Sequence, residues 1–109
     1  MSKNLTVIKL GGALLTDKQR PFTLRQSILN QAAAEVKACL DEGLFDQLLL
    51  VHGVGSFGHP LVVQHQLHKG LQSREQLIHL THTQNIVMGM RLAIAEAFQQ
   101  AGIAVSTII

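Results

Sequence analysis

The stretch QLLLVHGVGSFGHP, residues 47–60, decides the fold. Its first six residues, Gln47 to His52, form a short apolar run that is typical of a strand buried on both faces. The run passes directly into a glycine-rich turn, Gly53 to His59, and Pro60 suits the first position of a helix. The stretch therefore predicts a buried strand, a glycine turn and a helix start in immediate succession.

A similar strand and turn stand at the beginning of the chain. Residues 5–10 (LTVIKL) are apolar and end at Gly11-Gly12, and residues 13–22 read as a polar connection. Thr23 and Gln26 fit a capping box, which predicts that a helix begins there and runs to about Gly43. Its apolar stripe recurs at helical spacing and comprises Leu24, Ile28, Leu29, Ala32, Ala33, Val36 and Leu40.

The last third predicts a long helix and a third strand. Gly70 separates this part from the helix at Pro60, and a second capping box, Ser73 with Gln76, opens a helix that ends at Gly102. One face of that helix is expected to carry Leu77, Leu80, Met88, Leu92, Ala95 and Phe98. Residues 103–109 read as a strand. Strand, helix, strand, helix, strand predicts an α/β fold with a parallel sheet and right-handed crossovers.

Composition narrows the class of protein. The chain has 109 residues, of which 47% are hydrophobic and 15% charged, so one packed domain is expected. A net charge of +2 argues against nucleic acid as a partner, and the lone Cys39 excludes an internal disulfide. No signal peptide or membrane span is expected, which favours the cytoplasm. Because the chain stops inside an apolar strand, we expect it to be a piece of a longer domain or to need a partner.

The two glycine turns form a candidate anion site. The carboxyl ends of parallel strands share one edge of the sheet, so Gly11-Gly12 and Gly53 to His59 should lie side by side. Glycines let backbone N–H groups approach a phosphate closely. His59 precedes proline and is expected at the helix cap, facing the same anion. Lys9 and Lys18 could supply positive charge, although paired glycines can also make ordinary turns.

Other binding motifs fit less well. Gly53-x-Gly55-x-x-Gly58 matches the dinucleotide fingerprint, but it follows the second strand and the nearest acid, Glu75, stands at a helix start. No Walker loop is present. The histidine pairs at 65 and 68 and at 79 and 82 have a spacing that can bind metal, but no third ligand is evident, so no metal site is expected.

Three segments together resemble the isopentenyl phosphate kinases of the amino-acid kinase superfamily: IKLGGA (8–13) with TDK (16–18), VHGVGSFGHP (51–60), and TH (81–82) leading through the long helix to GI (102–103). The resemblance implies a three-layer α/β/α parallel sheet, of which the chain supplies an N-terminal βαβαβ portion. It covers about the first two fifths of a typical member. The nucleotide-binding C-terminal half would be absent.

The resemblance also implies an activity and residue roles. The activity would be ATP-dependent phosphorylation of isopentenyl phosphate to isopentenyl diphosphate, with Mg²⁺, in a protein that is commonly a homodimer at full length. The chain alone is expected to be inactive. Lys9 would bridge the transferring phosphoryl group, Gly11, Gly12 and Lys18 would hold the nucleotide phosphates, and the acceptor phosphate would bind Gly53, Val54, Gly55 and His59.

The sequence departs from this pattern at three positions. Val54 stands where many members have glycine or alanine, and it would be strained if the position required a positive φ. Met90 and Arg91 stand on the long helix where leucine and asparagine, respectively, are usual, so details of the acceptor pocket are expected to differ. Two alternatives remain open: another amino-acid kinase of the acylglutamate or uridylate type, or a truncated module that binds phosphate or assembles without turnover.

Overall fold

The computed structural model describes residues 5–44 and 46–106, with the backbone alone described at His59 and Pro60. The elements in chain order are β1 (Leu5–Leu10), α1 (Gly12–Leu15), α2 (Gln26–Asp41), β2 (Gln47–His52), α3 (His59–Gln64) and α4 (Arg74–Gln100). Two 3₁₀ turns, Gly55–Phe57 and Leu67–Lys69, flank α3. The α/β class is confirmed. No helix in the described ranges is long and apolar enough to cross a membrane.

The sheet of the described residues has two parallel strands. β1 and β2 pair in register, from Leu5 opposite Gln47 to Leu10 opposite His52, and both strands have their expected bounds. The expected third strand is wrong for residues 103–106, while residues 107–109 lie outside the described part. The Ile103 N–H donates to the Phe98 carbonyl at 3.1 Å, and Gln99 Nε2 donates to the Val105 carbonyl at 3.1 Å. These bonds tie the segment to the end of α4 instead of to a strand ladder.

The core lies on one face of the sheet. Alternate strand residues point to that face, where α2 and α4 both pack. The shared core includes Ile8, Leu10, Leu48 and Leu50 from the strands, Leu29, Ala33 and Val36 from α2, and Met90, Ile94, Ala97 and Phe98 from α4.

The opposite face of the sheet is open in the described residues, where it exposes Leu5, Val7, Leu49 and Val51. Burial of the strands on both faces is therefore not observed. The described residues supply two layers, sheet and helices, of the expected three.

The start of α2 differs from the expectation. The helix begins at Gln26 with Arg25 as its N-cap and no side-chain cap, so the capping box at Thr23 is wrong. The chain around Leu24 pairs with Thr16 in an antiparallel bridge, and the Thr23 hydroxyl donates to the Pro21 carbonyl at 3.1 Å. This bridge keeps the chain extended past Thr23.

The other helix boundaries agree better. α2 ends at Asp41, and Gly43 has a φ of +73° just beyond it. The capping box of Ser73 and Gln76 is confirmed with both of its hydrogen bonds. Residues 13–22 were expected to form a polar connection. The structure instead has the short helix α1 at residues 12–15, and Leu15 in it is completely buried.

The apolar face expected for α4 is wrong for three of its six residues. Phe98 is buried, but Leu77, Met88 and Leu92 are about half exposed or more. The buried stripe instead comprises Thr83, Met90, Ile94, Ala97 and Phe98. Apolar residues surround much of this helix, so two stripes satisfy the helical period, and the sheet contact decides which one is buried.

The tips of β1 and β2 meet in backbone contact. The Gly53 N–H donates to the Leu10 carbonyl at 3.0 Å. A Cβ on Gly12 would overlap the backbone nitrogen of Gly55, and one on Gly53 would lie 2.9 Å from the Gly12 nitrogen. Gly11, by contrast, has an ordinary φ of −66° and open space where a Cβ would stand. The close approach therefore requires glycine at 12 and 53, not at 11.

The buried stripe of α4 can be tested by truncating two neighbouring apolar residues. Ile94→Ala removes a side chain that is 3% exposed, and we expect it to lower the free energy of unfolding by about 2–5 kcal/mol. Leu92→Ala, at a residue that is 53% exposed, should cost less than about 1 kcal/mol. Urea denaturation of both variants measures the difference, and equal costs would contradict the observed packing of α4.

The contact between the turns can be tested with adjacent glycines. Gly12→Ala forces a methyl group against the backbone of Gly55, so we expect a loss of about 1–3 kcal/mol in the free energy of unfolding. The matched control Gly11→Ala meets no atom within 4 Å and should change that free energy by no more than about 1 kcal/mol, in either direction. Thermal and urea unfolding would report both; a Gly12→Ala chain as stable as the wild type would contradict the contact.

Candidate functional site

An open pocket of about 500 Å³ lies at the carboxyl ends of β1 and β2. This is the edge at which parallel α/β sheets bind ligands. The two glycine turns lie side by side there, as expected from the sequence. The pocket is lined by Gly12, Ala13, Thr16, Lys18, Gly53, Val54, Gly55, Ser56 and Val63.

The second turn presents two free N–H groups. Gly53 and Ser56 use theirs internally, on the Leu10 carbonyl and on Thr16 Oγ1. Within the described residues, no hydrogen bond uses the N–H of Val54 or Gly55. Of the three amides expected to hold an acceptor phosphate, Gly53 therefore contributes close packing, and Val54 and Gly55 remain as donors.

The backbone of the second turn accommodates valine. Val54 has a φ of −104°, which any residue adopts, while the positive φ of +48° falls on Gly55. The departure at Val54 therefore introduces no backbone strain. Glycine is required at 55 on a second count, since its Cβ would overlap Thr16 Oγ1.

The first turn adds N–H groups on the other side of the pocket. Gly11 is the N-cap of α1, and its carbonyl accepts from Leu14 and Leu15 at 3.1 and 3.2 Å. Gly12 and Ala13 form the first turn of that helix, where N–H groups have no helical partner. No hydrogen bond among the described residues uses either group.

The two expected lysines occupy different places. Lys18 lines the pocket from the connection between α1 and α2. Lys9 is exposed on the open face of the sheet, opposite Val51, and does not line the pocket. Of the two lysines expected at the site, Lys18 therefore lines this pocket and Lys9 does not.

His59 is the first residue of α3, with Gly58 as the N-cap. Its expected place at the cap, outside the helix, is wrong. Pro60 takes the next position, where the missing N–H removes no helical hydrogen bond. The His59 side chain lies outside the described part of the structure, so its contact with an anion stays a prediction.

Sequence reasoning assigned no role to two buried hydroxyl residues, Thr16 and Ser56. Thr16 is 1% exposed; its hydroxyl donates to the Gly12 carbonyl at 2.6 Å and accepts from the Ser56 N–H at 3.1 Å. The Ser56 hydroxyl accepts from the Thr23 N–H at 3.4 Å. Both residues lie within motifs quoted above, but no local pattern indicates that position 16 contacts a residue forty positions later.

Two of the four histidines at positions 65, 68, 79 and 82 contact each other across the fold. His65 and His79 stack, with ring centroids 3.5 Å apart and planes 7° from parallel. In the described ranges, no group of three or more His, Cys, Asp or Glu residues could hold a metal ion.

Known proteins resemble the chain along almost its whole length. The model of the amino acid kinase family matches residues 4–108. The isopentenyl phosphate kinase of Methanocaldococcus jannaschii is 43% identical over 61 residues, covering 52% of this chain and 24% of the relative. The isopentenyl phosphate kinase of Methanothermobacter thermautotrophicus is 29% identical over 105 residues, covering 91% of this chain and 38% of the relative.

Solved structures agree with this fold. An X-ray structure of isopentenyl phosphate kinase superposes with a TM-score of 0.78 at 27% identity, covering 92% of this chain and 41% of that one. The product complex of the T. acidophilum isopentenyl phosphate kinase gives 0.79 at 23% identity, with 92% and 40% covered, and at that identity it shows the fold alone. The chain thus spans between 24% and 41% of the length of these relatives. By its sequence match over residues 4–108 and its shared fold, the chain belongs to the amino acid kinase family.

Proposed function

We propose that the chain forms the acceptor-phosphate part of an ATP-dependent kinase that converts isopentenyl phosphate to isopentenyl diphosphate. The observation that carries this proposal is one pocket onto which two glycine turns converge with free N–H groups, those of Gly12 and Ala13 on one turn and of Val54 and Gly55 on the other. The curated relatives of the chain support the choice of acceptor, since both are isopentenyl phosphate kinases.

Phosphoryl transfer requires two phosphate sites. We call the first glycine turn the donor cradle and the second glycine turn the acceptor cradle. The reaction needs a donor and an acceptor phosphate held in line, with their negative charge neutralised, and it needs no covalent nucleophile from the protein. Adjacent turns with separate sets of amides suit two phosphates. Lys18 stands on the wall of the same pocket and supplies a cation there.

In the proposed arrangement the second turn holds the acceptor. The N–H groups of Val54 and Gly55 donate to the phosphate of isopentenyl phosphate, and His59, four residues further on, grips the same phosphate. Gly53 keeps the turn against Gly12. Protonated histidine bound to phosphate forms a charge-assisted hydrogen bond, which is stronger than one between neutral groups.

The first turn and the lysines would serve the nucleotide. Gly11 and Gly12 would lie beneath the ATP phosphates, Lys18 would contact them, and Lys9 would bridge the transferring group. We propose that most of the nucleotide site belongs to the part of the relatives' length that these 109 residues do not match. Mg²⁺, which the family resemblance implies, would be bound largely by the ATP phosphates.

Two further features belong to the proposal for the full-length enzyme. It would act in the cytoplasm, and it would be a homodimer, as the family resemblance implies. The open face of the sheet, with Leu5, Val7, Leu49 and Val51 exposed, supports a further layer of protein over β1 and β2 in that enzyme.

Acceptor binding can be measured on the chain as it stands. Titration of the ¹⁵N-labelled protein with isopentenyl phosphate should shift the amide signals of Val54 and Gly55, because their N–H groups are free to donate. His59→Ala should weaken binding about tenfold or more, since a charge-assisted hydrogen bond contributes about 1.5–3 kcal/mol. His82→Ala, at an exposed position of α4 outside the pocket, is the matched control.

Two results would contradict the assignment of the second turn. One is saturable binding whose shifts spare Val54 and Gly55, and the other is equal affinity in the His59→Ala and His82→Ala chains. Absence of any binding at millimolar isopentenyl phosphate would remove the proposed acceptor site altogether.

Turnover by the chain alone is a separate question. We expect no isopentenyl diphosphate when the 109-residue chain is incubated with ATP, Mg²⁺ and isopentenyl phosphate, because the residues that would hold most of the nucleotide are not in it. The assay is ³¹P NMR of the reaction mixture, with a full-length isopentenyl phosphate kinase as the positive control. Detectable isopentenyl diphosphate would refute the proposal that most of the nucleotide site lies outside these 109 residues.

A further inference from the structure

The two glycine turns are joined by one buried hydroxyl, that of Thr16. Thr16 follows α1 directly and is almost completely buried. A hydroxyl has one donor and two acceptor positions. Because a carbonyl can only accept and an N–H can only donate, the assignment is unambiguous: Thr16 donates to Gly12 and accepts from Ser56.

We propose that Thr16 is a positioning residue that holds the donor and acceptor cradles at a fixed separation, an inference that rests on the proposed function. Gly12 belongs to the first turn and Ser56 to the second, and the Thr16 hydroxyl bonds to both. The Thr16 N–H also donates to the Gly12 carbonyl, at 3.0 Å, so the bond that depends on the hydroxyl alone is the one to Ser56. The missing Cβ of Gly55 makes the room in which Thr16 Oγ1 lies.

The same contact determines which amides of the second turn are left without a hydrogen bond among the described residues. The Ser56 N–H donates to Thr16 Oγ1, and the Gly53 N–H donates to the Leu10 carbonyl. The free donors of the turn are thereby limited to the two residues between them, Val54 and Gly55. A change at Thr16 would release a third N–H and loosen the turn that carries the other two.

Ser56 extends this connection to the segment that carries Lys18. The Ser56 carbonyl accepts from the Phe22 N–H at 3.0 Å, and its hydroxyl accepts from the Thr23 N–H. The segment is closed on itself by the Asp17 N–H donating to the Thr23 carbonyl at 3.0 Å. Lys18 therefore sits on a closed loop that is attached to the acceptor turn at its far end.

The backbone at Phe22 is consistent with such an attachment. Phe22 has a φ of +57°, uncommon for a bulky residue, and its ring meets that of Phe57 edge to face with centroids 6.4 Å apart. The strained conformation persists because the Ser56 carbonyl and the Phe57 ring hold it from the second turn. The second turn and the segment that carries Lys18 are thus held together.

The physical benefit is alignment. Phosphoryl transfer depends on placing two phosphates within close reach and in line, and displacement of about 1 Å can cost a hundredfold in rate. Separate loops that each bound their own phosphate would not guarantee that placement. Thr16 supplies the shared reference because its almost completely buried hydroxyl bonds to both backbones.

Hydrogen exchange tests the link that the Thr16 hydroxyl forms between the two turns, and it requires no ligand. In the wild-type chain the Ser56 N–H should exchange at least about tenfold more slowly than those of Val54 and Gly55, because it alone of the three is bonded. Thr16→Val keeps the shape but removes the hydroxyl, and it should abolish that protection. Thr16→Ser retains the hydroxyl and should preserve it, while the amides of β2 change equally little in both variants.

Titration with isopentenyl phosphate tests the coupling. In the wild type and in Thr16→Ser, binding at Val54 and Gly55 should also shift the amides of Gly12 and Lys18. In Thr16→Val the shifts should stay within the second turn, a confinement that a general loss of stability would not produce. Shifts that reach Gly12 and Lys18 equally in all three chains would overturn the proposal.

Hydrogen exchange and the titration together distinguish a failure of this inference from a failure of the proposed function. If isopentenyl phosphate binds none of the chains, the proposed function fails, while exchange at Ser56 still decides whether Thr16 joins the turns. If Thr16→Val does not fold, the wild-type exchange rates decide alone. A Ser56 N–H that exchanges as fast as those of Val54 and Gly55 would refute the link through Thr16 in either case.

Discussion

The structure depends on the backbone contact between the tips of β1 and β2. Gly12 and Gly55 approach so closely that no side chain fits between them, and the Gly53 N–H continues the sheet by one bond to Leu10. This contact turns two ordinary strand ends into one concave surface. Everything proposed for the chain uses that surface, because it is what brings unpaired N–H groups from distant parts of the sequence to a common pocket.

The rest of the described fold supports this contact from one side. α2 and α4 pack on a single face of the sheet, and their buried residues hold β1 and β2 in register. The other face carries exposed aliphatic side chains. Parallel sheets are normally covered on both faces, which accords with a chain that spans between 24% and 41% of the length of its relatives.

Polar residues refine the site that the glycines create. Thr16 and Ser56 are buried, each hydroxyl is hydrogen-bonded, and between them they connect the first turn, the second turn and the loop of Lys18. Burying a hydroxyl costs free energy unless it is hydrogen-bonded. The buried hydroxyls of Thr16 and Ser56 therefore favour the arrangement in which their partners are in place. The site is therefore specified by a few hydrogen bonds as much as by its glycines.

Local patterns in the sequence determined the two strands, the capping box at Ser73 and the position of the glycine turns at one edge of the sheet, since these depend on residues close together in the chain. Tertiary structure decided the rest. It buried Ile94 rather than Leu92 on α4, paired Leu24 with Thr16 in place of the expected Thr23 cap, and bound the Gly53 N–H to the Leu10 carbonyl. Each of these outcomes is set by a partner distant in sequence or by packing against the sheet, and helical or strand periodicity carries no information about such partners.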